Sequence, residues 1–329
     1  MKTLFWILAG VTAFLALFIP TFSEWCYHFI FSRGKQTSLD EIDLSRTYYA
    51  PYTKILLPAM KQMKELPYER LEMKSRDGLS LKALYYSQGS GHCAVFVHGY
   101  RATPFNNFAA VSRDVMEMGY DLFFPIQRAH GESEGNRITL GQLEQQDLLD
   151  WLNVLNETYA PESIVLYGLS MGSTTVALAS DRLPENVRCM VLDCGFSNLY
   201  ERVKGRFRST HVPGPEFFTR IINRMCRRRM GFDMHETDTA HALQHTDVPA
   251  LFIHGTADRS VTLEEGRKNI EACASEKEVF LVKDAPHAIG YMAGGEETKT
   301  LLRQFLKRND PRETRDDDTN NVKGDTDQK

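Results

Sequence analysis

The stretch Ser163-Ile164-Val165-Leu166-Tyr167-Gly168-Leu169-Ser170-Met171-Gly172-Ser173-Thr174-Thr175-Val176-Ala177-Leu178-Ala179 reads as a buried strand, a forced turn and a small-residue helix, with a serine at the apex of the turn. The apolar run Ile164 to Tyr167 has the length and β-branched content of a strand covered on both faces, and Val176 to Ala179 suits a helix packed closely on a sheet. Between them lies a G-x-S-x-G pattern. Its glycines answer a steric demand: the turn is so tight that a Cβ two residues to either side of the serine would strike the neighbouring strand or helix. Ser170 is thereby held in strain with its hydroxyl exposed, beside the unpaired N–H groups of a helix N-terminus that can stabilise negative charge.

Working outward, strands and helices alternate. Leu71–Ser75 and Leu79–Tyr85 alternate in period two around Arg76-Asp77-Gly78, the mark of a β-hairpin. Strands follow at Ala94–Val97, Asp121–Phe124, Val187–Asp193, Ala250–Ile253 and Glu278–Val282, with helical stretches at 105–118, 140–156, 263–272 and 296–307 between or after them. This order predicts an α/β fold, a mostly parallel sheet flanked by helices. The fifty or so residues from Phe196 to Thr246 are too long for an ordinary connection and predict a small helical lid at the carboxyl edge of the sheet. The polar stretch 309–329 predicts a disordered tail.

At the amino end, Leu4 to Phe22 is nineteen residues without a charge, long enough to cross a bilayer as a helix. No small-x-small cleavage site follows it, so an uncleaved single-pass anchor is favoured over a signal peptide, and 1–37 is read as anchor and linker to a body over 38–308. Lys2 ahead of the run favours the amino end inside, which puts the body outside the cytoplasm at the cell membrane. Arg33 and Lys35 beyond it weaken that asymmetry. Residues 38–66 read as a helical connector interrupted by Pro51 and Pro58.

Composition limits the rest. A net charge of −4 gives no general case for nucleic-acid binding, and 42% hydrophobic residues are ordinary for a globular core. Cysteines 26, 93, 189, 194, 226 and 273 show neither a C-x-x-C pair nor zinc-like spacing with histidine, and read as small buried hydrophobes. His235, His241 and His245 lack the H-E-x-x-H context of a metal site, so neither metal nor other cofactor is expected. Between Glu201 and Arg229 the lid carries nine basic residues against two acidic ones. That excess is either a contact for anionic lipid headgroups or the solvated face of lid helices.

A serine hydroxyl needs a base in contact with it, and the base needs an orienting acid. Asp258 lies in the loop after the strand ending Phe252-Ile253-His254-Gly255, and His287 lies past the next strand. Serine, acid and histidine thus occur in the chain order of the G-x-S-x-G enzymes, each just after a strand. Two N–H donors are needed for an oxyanion: Met171 offers one and Tyr100, after His98-Gly99, the other. His98 itself is read as a structural hydrogen-bonding residue, because His287 fills the position of the base.

With these parts placed, the chain resembles the α/β-hydrolase superfamily from about Leu71 to Lys307. Five segments carry the resemblance: His98-Gly99-Tyr100, Arg128-Ala129-His130-Gly131-Glu132-Ser133-Glu134-Gly135, Gly168-Leu169-Ser170-Met171-Gly172, His254-Gly255-Thr256-Ala257-Asp258 and Ala285-Pro286-His287-Ala288. They are similar to those of bacterial carboxylesterases related to serine aminopeptidases and cinnamoyl esterases. The resemblance implies a serine hydrolase acting on a small-molecule or lipid-like ester through an acyl-enzyme. A peptidase or acyl-peptide hydrolase, or an idle hydrolase fold serving as a membrane-bound interaction module, are the alternatives.

Overall fold

The computed structural model describes residues 1–35, 39–41 and 43–310. Eight strands form one sheet: β1 (Glu69–Lys74), β2 (Ser80–Tyr86), β3 (His92–Val97), β4 (Asp121–Ile126), β5 (Ser163–Leu169), β6 (Val187–Asp193), β7 (Ala250–Gly255) and β8 (Lys277–Val282). Their spatial order is β1-β2-β4-β3-β5-β6-β7-β8. The hairpin β1–β2 is antiparallel, β2 pairs antiparallel with β4, and every later pairing is parallel.

Ten helices accompany the sheet among the described residues: α1 (Lys2–Phe31), α2 (Thr53–Glu65), α3 (Pro104–Glu117), α4 (Glu144–Tyr159), α5 (Met171–Ala179), α6 (Leu199–Ser209), α7 (Pro215–Arg229), α8 (Thr239–Leu243), α9 (Leu263–Ala272) and α10 (Gly290–Asn309). Helices α2, α3 and α10 cover one face, where Leu56, Met60, Phe108 and Phe305 pack on Phe96, Phe124 and Tyr167. Helices α4, α5 and α8 cover the other, where Trp151, Leu152, Val176 and Leu243 pack on Phe123, Ile164 and Leu166. Consecutive residues such as Phe123 and Phe124 thus serve opposite faces. A strand in the middle of a two-faced sheet therefore reads as a continuous apolar run.

Whereas α8 of the same insertion packs on the body, the lid between β6 and β7 is built from α6 and α7. It has its own core of Phe196, Leu199, Val203, Phe207, Phe218 and Ile222, and that core takes in Cys26, Tyr27 and Phe31 from the end of α1. Helix α1 is long and apolar enough to cross a membrane, and its most apolar stretch is unburied. It does not end with the apolar run at Phe22 but continues to Phe31, with residues 23–31 seated against the lid and Phe22 edge-on to Phe218 at 5.0 Å.

Two of the differences from the sequence reading have a clear physical reason. Pro58 does not interrupt the connector: it sits in the interior of α2, at the sixth of its 13 residues, where the loss of one N–H is outweighed by the burial of Leu56, Ala59 and Met60. Asn309 and Asp310 belong to the folded body, because α10 includes Asn309 and the buried Asp310 accepts a 2.7 Å hydrogen bond from the Tyr120 hydroxyl. The rest of the expected tail, 311–329, lies outside the described residues. All six cysteines are buried and unpaired, as their spacing predicts.

Candidate active site

Ser170 joins β5 to α5 in a left-handed conformation, φ 55° and ψ −116°, that an L-residue adopts only under constraint. The flanking glycines explain how it is held. A Cβ on Gly168 would come within 2.5 Å of the Gly172 carbonyl oxygen, and one on Gly172 would overlap the Val97 carbonyl at the end of β3. The Ser170 N–H donates to the Asp193 carbonyl at 2.8 Å and its own carbonyl accepts from Thr174 N–H at 3.0 Å, pinning the turn between sheet and helix.

The structure brings together the three side chains that the sequence places on separate loops. Ser170 Oγ is 2.8 Å from His287 Nε2, and His287 Nδ1 is 2.6 Å from Asp258 Oδ2. The other carboxylate oxygen of Asp258 accepts from the N–H groups of Ser260 at 2.8 Å and Val261 at 2.9 Å. The loops bearing acid and histidine are joined by backbone bonds, Thr256 N–H to Val282 O at 2.9 Å and Ala257 N–H to Ala285 O at 3.1 Å. An acid so held fixes the imidazole with Nδ1 protonated, leaving Nε2 to accept a proton from the serine. Tyr100 and Met171 border the same cavity as Ser170 and His287.

The loop carrying Tyr100 rests on two buried imidazoles. His98 donates from Nδ1 to Gly99 O at 2.9 Å and accepts the Gln127 N–H at Nε2, 3.1 Å. His130 donates from Nδ1 to Arg128 O at 2.8 Å and accepts the Arg101 N–H at Nε2, 2.9 Å. Each ring is thus used once as donor and once as acceptor, which requires the neutral form. Burial, reinforced by the neighbouring His130, lowers His98 to about 3, and burial lowers His130 to about 4. Asn107 Oδ1 accepts the Gly99 N–H at 2.7 Å. His98 therefore has the structural role expected of it. His130 and Asn107 escaped the sequence reading as participants, although the Arg128–Gly135 segment contains one of them.

Helix α1 also reaches this loop. The Tyr100 hydroxyl donates to Ile30 O at 2.8 Å, and the Arg101 guanidinium donates to Phe29 O at 2.9 Å and Ser32 O at 3.1 Å. Those carbonyls belong to the last turn of α1 and its exit, where no helical partner follows them. The membrane-length helix is thus bonded directly to the loop that carries Tyr100. Its Phe29 and Ile30 form part of the wall of a cavity of about 800 Å³ that opens at Ser170, with Leu140, Phe196, Leu199 and Val261.

Under the histidine lie two further groups. Cys194 Sγ is within 4.8 Å of the ligand atoms of Asp258 and His287, but burial pushes its thiol well above the usual range, so it stays protonated. Asp193, at the end of β6, is buried, and burial raises its carboxyl to about 7. Of the lid arginines, Arg229 makes a bidentate pair with Glu24 of α1 at 2.7 and 2.9 Å, and Arg227 stands 3.7 Å from Asp233. His235 stacks on Tyr200 at 3.9 Å, while His245 donates to the His241 carbonyl at 2.7 Å.

Comparison with known proteins agrees with the architecture. The family described as alpha/beta hydrolase fold matches residues 95–210. YqkD of Bacillus subtilis is 24% identical over 200 residues, 58% of this chain, and the chain spans 63% of that protein's length. YfhR of Escherichia coli K12 is 22% identical over 228 residues, 67% of this chain and 73% of that one. Among solved structures, the Pyrococcus furiosus esterase Pf2001 superposes with a TM-score of 0.61 at 22% identity, covering 75% of this chain and 94% of its own. The sheet order, the strained serine turn and the family match over residues 95–210 together show that this chain has the α/β-hydrolase fold.

Proposed function

We propose that the protein is a serine hydrolase that cleaves carboxylic esters through an acyl-enzyme, with Ser170, His287 and Asp258 as its catalytic triad. The observation that carries this is the continuous hydrogen-bonded chain from Ser170 Oγ through His287 to Asp258, at the mouth of a mainly apolar cavity. Ser170 Oγ attacks the ester carbonyl while its proton passes to His287 Nε2, and Asp258 stabilises the imidazolium. The Tyr100 and Met171 N–H groups receive the negative charge that develops on the carbonyl oxygen. His287 returns the proton to the departing alkoxide. A water molecule deprotonated by the same nitrogen then attacks the acyl carbon and releases Ser170.

Helix α1 acts as a retained single-pass membrane anchor, with the hydrolase body outside the cytoplasm. Support for retention comes from residues 23–31, which are continuous with the apolar span and bury Cys26, Tyr27 and Phe31 against the lid core. Pf2001, which shares the fold, is an esterase, in keeping with this reading. The test compares parent and Ser170→Ala on p-nitrophenyl butyrate and on an aminoacyl-anilide. Loss of a triad nucleophile lowers kcat on the order of 10⁶-fold, with the ester favoured over the anilide in the parent. Retention of more than a few per cent of the activity by a folded variant, or preference for the anilide, overturns the proposal.

A further inference from the structure

The cavity at Ser170 has an uneven chemistry. Its apolar wall comes from Phe29, Ile30, Leu140, Phe196, Leu199 and Val261, and no carboxylate side chain among the described residues lines it. Three arginines do: Arg202, Arg206 and Arg259. The first two are four residues apart on α6 and so lie on one face of the helix. The third directly follows Asp258 and so enters the cavity beside the triad acid.

These cations are poorly neutralised. Arg202 is about three-quarters removed from solvent, with its side chain 23% exposed, and its polar partners are Glu265 at 3.9 Å and Ser260 Oγ at 3.3 Å. Burial lowers its pKa, the sign of a desolvated cation. Arg206 and Arg259 are exposed and have no carboxylate within 4 Å among the described residues. By contrast, Arg220 and Arg229 on α7 are matched by Glu216 and Glu24. Guanidinium groups present forked donors that suit phosphate and carboxylate oxygens, and a desolvated one gains most from an anion.

Building on the ester-hydrolase reading above, we infer that the substrate is an amphiphilic ester: an apolar acyl chain held by the α1 and lid side chains, and an anionic group, phosphate or carboxylate, held by Arg202, Arg206 and Arg259. The cavity's volume of about 800 Å³ falls within the roughly 300–1,000 Å³ of small-molecule sites. The participation of α1 places the apolar part of the cavity against the helix that would enter the bilayer, where such molecules partition.

The experiment uses the full-length protein in a non-ionic detergent and three esters with one acyl chain: decanoylglycerol, decanoylglycerol phosphate and decanoyl lactate. At least one anionic ester is hydrolysed with a kcat/KM about tenfold or more above that of the neutral one, a difference of about 1.4 kcal/mol. A preference for the phosphate identifies phosphate as the group, and a preference for the lactate identifies carboxylate. Arg206→Gln and Arg259→Gln each lower the anionic-to-neutral ratio about fivefold, the scale of a partly exposed ion pair. Arg224→Gln, on the exposed side of α7, leaves the ratio unchanged. Equal kcat/KM for all three esters overturns the inference, as does an equal fall with Arg224→Gln, which would show only a diffuse positive field. The esterase reading is tested separately by p-nitrophenyl butyrate: cleavage of it without discrimination by charge sinks this inference alone. Calorimetric binding to Ser170→Ala gives a readout independent of turnover. Decanoylglycerol phosphate or decanoyl lactate binds more tightly than decanoylglycerol, and equal affinity for all three again overturns the inference.

Discussion

Two truncations separate the proposed role of α1 as an anchor from its proposed role in the site. Removing residues 1–17 takes away only helix that is outside the lid core, whereas removing residues 1–33 also takes away Cys26, Tyr27 and Phe31, which are 3%, 0% and 0% exposed. Burying a large apolar side chain contributes about 1.5–3 kcal/mol, so the two aromatics and the cysteine together contribute roughly 4–8 kcal/mol. A whole domain retains only about 5–15 kcal/mol. The longer cut also removes the acceptors of the Tyr100 hydroxyl and the Arg101 guanidinium, and the bond from Ile138 N–H to Phe31 O at 2.7 Å. Loss of one oxyanion donor costs on the order of 10²–10³ in kcat, so a loosened Tyr100 loop alone lowers the rate by up to that amount. The assay is thermal melting together with kcat/KM on p-nitrophenyl butyrate, a short ester that needs little of the cavity. The 1–17 deletion keeps the Tm and the rate of the full chain, while the 1–33 deletion loses most of its stability and about 100-fold or more in kcat. A 1–33 deletion that melts and turns over like the parent would refute the claim that the helix end belongs to the catalytic body.

Other consequences follow from the same geometry. Gly172→Ala puts a methyl group into the Val97 carbonyl, held in the middle of the sheet, so neither strand nor helix can retreat. The variant is destabilised by more than about 3 kcal/mol, read as a lowered urea midpoint or failure to accumulate as folded protein. Asp193, with its pKa raised by burial, keeps its proton in the native state while the unfolded chain loses it between about pH 4 and 7. This titration therefore lowers stability as pH rises, and Asp193→Asn raises Tm more at pH 8 than at pH 5. His98 and His130 act in the opposite sense: their folded-state values lie below the free one, so the unfolded chain takes up protons that the native state refuses below about pH 6.5. In Asp193→Asn, where the opposing titration is gone, stability falls more steeply from pH 7 to 5 than it does in the parent. A parallel decline in the two proteins would show that Asp193 does not hold its proton.

Much of this architecture was legible in the chain because local sterics and chain order reinforce each other. Gly168 and Gly172 announce a turn that only a strand-to-helix junction explains. Apolar runs separated by helical stretches leave little besides a parallel sheet, and Asp258 and His287 follow strands that deliver them to one edge. The missed residues act through geometry that appears only on folding. His130 reads as a surface histidine in a polar loop until the chain closes and sets its Nε2 against the Arg101 N–H. Residues 23–31 contain Glu24 and His28 and so look like a polar exit from the membrane. Yet Ser23, Tyr27 and Phe31, each four residues apart, form a buried stripe on one side of that helix. Arg202 and Arg206 are undistinguished members of a basic region, and Arg259 is a single loop arginine, until α6 and the loop after β7 converge on the cavity.

The central claim is that Ser170 is the nucleophile, and covalent labelling tests it most directly. A fluorophosphonate reacts with a serine only where a base and an oxyanion site activate it. Peptide mapping by mass spectrometry after labelling of the full-length protein finds a single adduct, on Ser170, and Ser170→Ala of equal thermal stability takes up none. An adduct on a different residue, or none on a folded parent that hydrolyses p-nitrophenyl butyrate, would contradict the account.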